Sequence, residues 1–191
     1  KAEAEAANLT FHPDQVLPAW SEKEAAERAA SLLRSGSTHA AMKGLIHTNI
    51  LLKALLDARA GLRQPGERVS HVFLADIPAY PKLLAITDAA VNIAPDLSAK
   101  AAILQHAIDL MATIGVDLPK AAILSAVETV NPLISSSLDA AALSVMSHRG
   151  QVRGALVDGP LAFDNAISLK AAEVKGIASP VAGDADILLV P

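Results

Sequence analysis

The chain has 191 residues, 52% hydrophobic but only 3% aromatic, with a formal charge of −4 and no cysteine. Without cysteine there are no disulfides, zinc–thiolate sites, iron–sulfur clusters or cysteine nucleophile. An acidic chain lacking a basic block argues against nucleic acid as a partner, and the scarcity of aromatics argues against an all-β sandwich.

Alanine occurs 39 times, and short apolar strand-like runs alternate with Ala-rich stretches of helical period, which reads as α/β. The opening Ala/Glu run from Lys1 reads as the tail of a helix, and Gln15–Pro18 as a weak strand. Ser21 caps a helix running to about Ser35, with Glu24 completing a capping box. Thr38–Met42 is expected as a strand and Lys43–His47 as a loop. Thr48 then starts a helix whose Leu51, Leu52, Leu55 and Leu56 form one apolar stripe.

Beyond the polar connector Gly61–Arg68, the runs Val69–Ile77 and Leu83–Thr87 read as antiparallel strands joined by a Pro-rich turn. A helix follows from Ser98 to Gly115, which stops it. Lys120–Val127 is a strand, with turn chemistry at Asn131-Pro132. Ser136–Arg149 is helix, Gly154–Val157 strand, Asp164–Lys175 helix and Ile187–Val190 the last strand. A composition seam near Asn92–Asp96 divides the chain into expected subdomains, residues 1–94 and 95–191. Lys1 in place of Met, and an ending on an apolar strand pattern, lead us to expect the middle of a longer chain, with Ile187–Val190 as an uncovered, aggregation-prone strand. No apolar run approaches the roughly 18 residues of a membrane span, and no secretory pattern opens the sequence. The expectation is a soluble, cytoplasmic protein.

In open α/β sheets ligands gather beyond the carboxyl ends of strands, and four such loops carry unusual residues. Lys43 and Gly44, with Thr48 at a helix start, would suit an anion such as phosphate; the alternative is an ordinary cap and a solvated lysine. Ser125, Glu128, Thr129 and Asn131 cluster after a buried strand, where a glutamate can accept a proton or hold a backbone amide. Asp158 leaves a strand end toward the ligand side, whereas Asp164 reads as the N-cap of the next helix. Ser179–Gly183 is a turn-rich loop able to bring main chain close to a ligand. The six histidines have no metal-binding spacing, and only His47 falls in a candidate site. Unaided, these residues name no reaction.

Six blocks in order resemble the phosphate acetyl/butyryl transferase family. They are Met42-Lys43-Gly44 with Thr48, Ser70–Pro78, Thr87–Pro95, Ser125–Pro132, Asp158–Ala166 and Val181–Pro191. Their details resemble the butyryl-type branch, including the form fused behind an enoyl-CoA hydratase-like segment. The resemblance implies acyl-CoA + phosphate ⇌ acyl phosphate + CoA, by direct attack of the CoA thiolate and with no covalent acyl-enzyme. Coenzyme A is then a substrate, with no cofactor and no metal. It further implies two three-layer α/β/α subdomains of mixed, mostly parallel sheets, as in the isocitrate/isopropylmalate dehydrogenases, with the site in the cleft and a homodimer as the assembly. The family's Ser-Arg pair and its carboxylate belong to a segment after Pro191, so no catalytic residue is assigned. The positions implied to line the cleft are Lys43, Gly44, Thr48, Asp88, Ser125, Glu128, Asn131, Asp158, Ser179 and Gly183. The other reading is an incomplete module that binds CoA or phosphate without turnover.

Overall fold

The computed structural model describes residues 10–57, 59–63 and 66–191; the opening Ala/Glu run lies outside them. The chain divides into two compact units, Lys1–Glu67 and Arg68–Pro191. The first is helical among its described residues. A short 3₁₀ turn, Pro13–Gln15, precedes α1 (Glu22–Arg34) and α2 (Thr48–Leu55). Ser21 caps α1 by accepting from the Glu24 N–H, while the Glu24 carboxylate accepts from the Trp20 N–H, one residue further back than a capping box places it. Neither Gln15–Pro18 nor Thr38–Met42 forms a strand. A strand needs a neighbour to take its N–H and C=O groups, and no strand lies among the described residues of this unit.

The second unit is built on one five-stranded sheet. Strands β1 (Val72–Ala75) and β2 (Leu84–Thr87) form the antiparallel pair expected from the sequence. Then follow α3 (Leu97–Thr113), β3 (Lys120–Leu124), α4 (Ser135–His148), β4 (Leu156–Leu161), α5 (Phe163–Ile167), α6 (Leu169–Val174) and β5 (Ile187–Leu189). The order is β1-β2-β5-β3-β4, with β2, β5, β3 and β4 parallel. The sheet therefore takes strands from both sides of residue 94, and the division between units falls at 67/68.

Alternation sorts the core into two layers. Ala121, Ile123, Ile187 and Leu189 pack with Ile103, Ala107 and Met111 of α3 and with Ala140 and Leu143 of α4. Ala122, Leu124 and Leu188 face the other way, toward Ala166, Ala172 and Val181. The many alanines let helices lie close on the sheet.

Three expectations need correction. Ile187–Val190 is not uncovered: β5 sits between β2 and β3, and all its residues are buried, because strand order is set by pairing across the whole unit. The strand expected at Gly154–Val157 gives way to a loop starting at Asp158, yet in the structure Asp158-Gly159-Pro160 lies inside β4, where a register shift against Ala122–Leu124 absorbs an extra residue. An edge strand with a bulge tolerates proline, and Gly159 is required there: a Cβ would stand 2.7 Å from the Ile123 carbonyl oxygen. Finally, the expected Asp164–Lys175 helix is two short helices broken at an extended Ser168. Asp164 is no cap, since Ala162 holds that position.

Candidate functional site

The four parallel strands point their carboxyl ends to one edge, which delivers Asp88 after β2, the Ser125–Asn131 loop after β3 and the start of α5 after β4. Asp88 is buried and organises its own loop. One carboxylate oxygen accepts from the Ala90 and Val91 N–H groups at 3.0 and 2.9 Å, and the other from the His71 N–H and the Asn92 amide. Burial pushes the carboxyl toward its neutral form, but the donors of Val91, Ala90, Asn92 and His71 together outweigh it and hold Asp88 below the usual aspartate range.

After β3, the buried Ser125 pairs its hydroxyl with that of Ser136 at 2.9 Å, at the start of α4. Asn131 forms an Asx turn by accepting from the Leu133 N–H. Its own N–H donates to the buried Ser137 hydroxyl, which in turn donates toward the Asn131 carbonyl. These bonds fix the loop as a shelf at the helix start. Glu128 is not a free base. Lys175, the residue closing α6, places its ammonium 3.4 Å from Glu128 Oε2 and 3.2 Å from Asp164 Oδ1. The Asp164 bond, with a smaller contribution from Glu128, raises the lysine above its ordinary value, and Lys175 lowers Asp164 in return. Sequence reading missed Lys175: a lysine ending a helix carries no motif, and only the folded chain sets it against two loops.

The remaining expected residues lie elsewhere. Asp158 is in the body of β4, opposite Ala122, accepting from the Gly159 N–H. Its expected place at a strand end is therefore corrected. Ser179 accepts from the Val181 and Ala182 N–H groups in the loop that enters β5. Gly183, at φ +82°, brings main chain close to Leu169 at the start of α6, where a Cβ would meet the Leu169 Cα at 2.4 Å. Its open backbone serves the packing of the unit itself.

In the first unit, Lys43, Gly44 and Thr48 are exposed. The Lys43 ammonium reaches the Ile46 carbonyl at 3.4 Å. Thr48 is the first helical residue, and His47 is the N-cap, its side chain making no capping bond to the helix. The His47 N–H and ring Nδ1 both contact the Glu22 carboxylate, at 2.9 and 2.8 Å, and hold that carboxyl below its ordinary value. Among the described residues no group of three or more acidic or histidine side chains could hold a metal ion, and no helix is long and apolar enough to cross a membrane.

A model of the phosphate acetyl/butaryl transferase family matches residues 17–191. The chain is 53% identical to a phosphate acetyltransferase of Rhizobium meliloti over 167 residues, 87% of this chain and 52% of that protein. It is 46% identical to a probable phosphate butyryltransferase of Bacillus subtilis over 184 residues, 96% of this chain and 61% of that one. These identities do not favour the butyryl-type branch. The crystal structure of a branched-chain phosphotransacylase from Enterococcus faecalis superposes with a TM-score of 0.82 at 36% identity, covering 92% of this chain and 62% of that chain. The chain thus spans about half the length of the curated relatives it matches.

Proposed function

Because the chain belongs to the phosphate acetyl/butyryl transferase family across residues 17–191, we propose that the protein carrying it is a phosphate acyltransferase. The reaction is reversible transfer of an acetyl or butyryl group between coenzyme A and phosphate. The family match carries this reading, and the polar shelf at the carboxyl edge supports it. In the direction of thioester synthesis, the CoA thiolate attacks the carbonyl of the acyl phosphate. The C–S bond forms, the C–O bond to phosphate breaks, and phosphate leaves with its electron pair. A thiol with a pKa near 8.5 needs a base or a positive field to react as thiolate, and the leaving phosphate needs preorganised donors.

The residues of this chain bind and orient. Lys43, Gly44 and Thr48 offer an anion site at the start of α2, and in the second unit Ser125 and Asn131 shape the carboxyl-edge shelf that receives anionic substrate, phosphate or the phosphates of CoA. The same reading carries an α/β architecture of the isocitrate/isopropylmalate dehydrogenase type, a homodimer, and a cytoplasmic location.

Thioester formation from acetyl or butyryl phosphate and CoA by the complete protein tests the reading; absence of CoA-dependent turnover overturns it. Thr48→Ala tests the anion site. One hydrogen bond to a charged group corresponds to about tenfold or more in affinity, so calorimetric titration should show phosphate binding weakened by at least that factor in a folded variant. An unchanged dissociation constant would reduce Thr48 to a residue of the helix start.

A further inference from the structure

Four lysines of the second unit are ion-paired, and they fall into two groups. Lys82, Lys100 and Lys120 make contacts of 2.6 to 2.7 Å to aspartates, and these pairs lie before β5 or between α3 and α4. Lys175 stands apart: it is on the carboxyl edge, and its ammonium is shared between Asp164 at 3.2 Å and Glu128 at 3.4 Å. Asp164 stands in the first turn of α5, directly after β4, and Glu128 in the loop after β3, two adjacent strands.

We propose that Lys175 is a positioning residue for anionic substrate: it ties the start of α5 to the loop after β3 and offsets one of the two negative charges they bring to the ligand edge. This rests on the acyltransferase reading, in which both phosphate and CoA arrive as anions. The Lys175, Glu128 and Asp164 side chains are 32%, 34% and 56% exposed, and exposed pairs contribute little to overall stability. The consequence of removing Lys175 therefore falls on substrate binding. Two uncompensated carboxylates repel an incoming phosphate, and the loops lose their one bridge from side chain to side chain among the contacts described above.

The test uses the complete protein with Lys175→Met, Lys175→Arg and the double variant Lys175→Met/Asp164→Asn, read by KM for phosphate, by kcat and by calorimetric titration with inorganic phosphate. Lys175→Met should raise KM and the dissociation constant about three- to tenfold, with kcat changed less and the melting temperature unmoved. Arginine should restore both constants to within about twofold. Asp164→Asn added to Lys175→Met should recover most of the loss, because it removes the nearer unpaired charge; a purely structural tether would not be rescued by deleting its partner. Constants within twofold of the parent in Lys175→Met, or a loss that neither arginine nor Asp164→Asn recovers, overturn the proposal. A parent that binds phosphate, with the expected ranking of variants, but does not turn over removes the acyltransferase reading and leaves the role of Lys175 standing. A parent that binds no phosphate overturns both.

Discussion

The two edges of the sheet are held in different ways. At the amino edge, charged groups far apart in sequence lock the strands to one another. Lys82 reaches Asp184 and Asp186, Lys120 reaches Asp184, and the Asp186 carboxylate accepts the Lys120 N–H at 2.8 Å. The Tyr80 hydroxyl adds a bond to the Ala185 carbonyl. At the carboxyl edge most of the side-chain bonds stay within a loop, the His71 N–H to Asp88 being an exception that reaches the residue before β1. Asp88 closes its own loop, Ser137 and Asn131 close theirs, and the Lys175 side chain reaches from the segment after β4 to the loop after β3. One edge fixes strand order, which must be common to the whole unit. The other holds its loops mainly within themselves, with few ties between them, as suits ligand-facing loops on a rigid scaffold.

The largest expected effect is at the entry to β5. Gly183→Ala puts a methyl into the Leu169 backbone at a left-handed φ, and should destabilise by about 3–5 kcal/mol in urea unfolding. A cost below about 1 kcal/mol would mean that the loop moves freely and the amino edge is not rigid. Asp186→Ala comes next, at about 3 kcal/mol, because it strands the Lys120 N–H and removes a buried partner of Lys82. If Asp186→Ala cost no more than a carboxyl-edge variant, the distinction between the edges would fail.

Asp88→Asn should cost about 1–2 kcal/mol, since one acceptor becomes a donor facing other donors. It also divides the acid response. Asp88 and Asp184 are both lowered in the folded chain, Asp88 by its loop donors against opposing burial and Asp184 by Lys120 and Lys82. A lowered folded pKa gives stability that is present above the unfolded aspartate value near 4 and lost as pH falls through the folded value. Below about pH 4 the parent should therefore lose stability, and Asp88→Asn should remove the Asp88 contribution while the Asp184 contribution remains. An identical pH slope in parent and variant would show that the Asp88 clamp contributes nothing.

What the sequence determined by itself was local or periodic. The Ser21 cap, the Gly115 stop, the spans of α1, α3 and α4 and the β1–β2 pairing depend on neighbours a few residues apart, and the structure keeps them. The polar cluster after the buried strand, Ser125 to Asn131, was legible too, although the strand ends at Leu124 and not at the expected Val127. Tertiary structure decided the rest. Thr38–Met42 has strand chemistry but no strand beside it, and remains irregular. Asp158-Gly159-Pro160 has turn chemistry, but pairing with β3 draws it into an edge strand. Ile187–Leu189 resembles a loose end and becomes the middle strand, because its apolar side chains complete both layers of the core only between β2 and β3. Lys175 gains its partners in the same way: hydrogen bonds and ion pairs across loops depend on distances that chain order does not encode, and packing sets them.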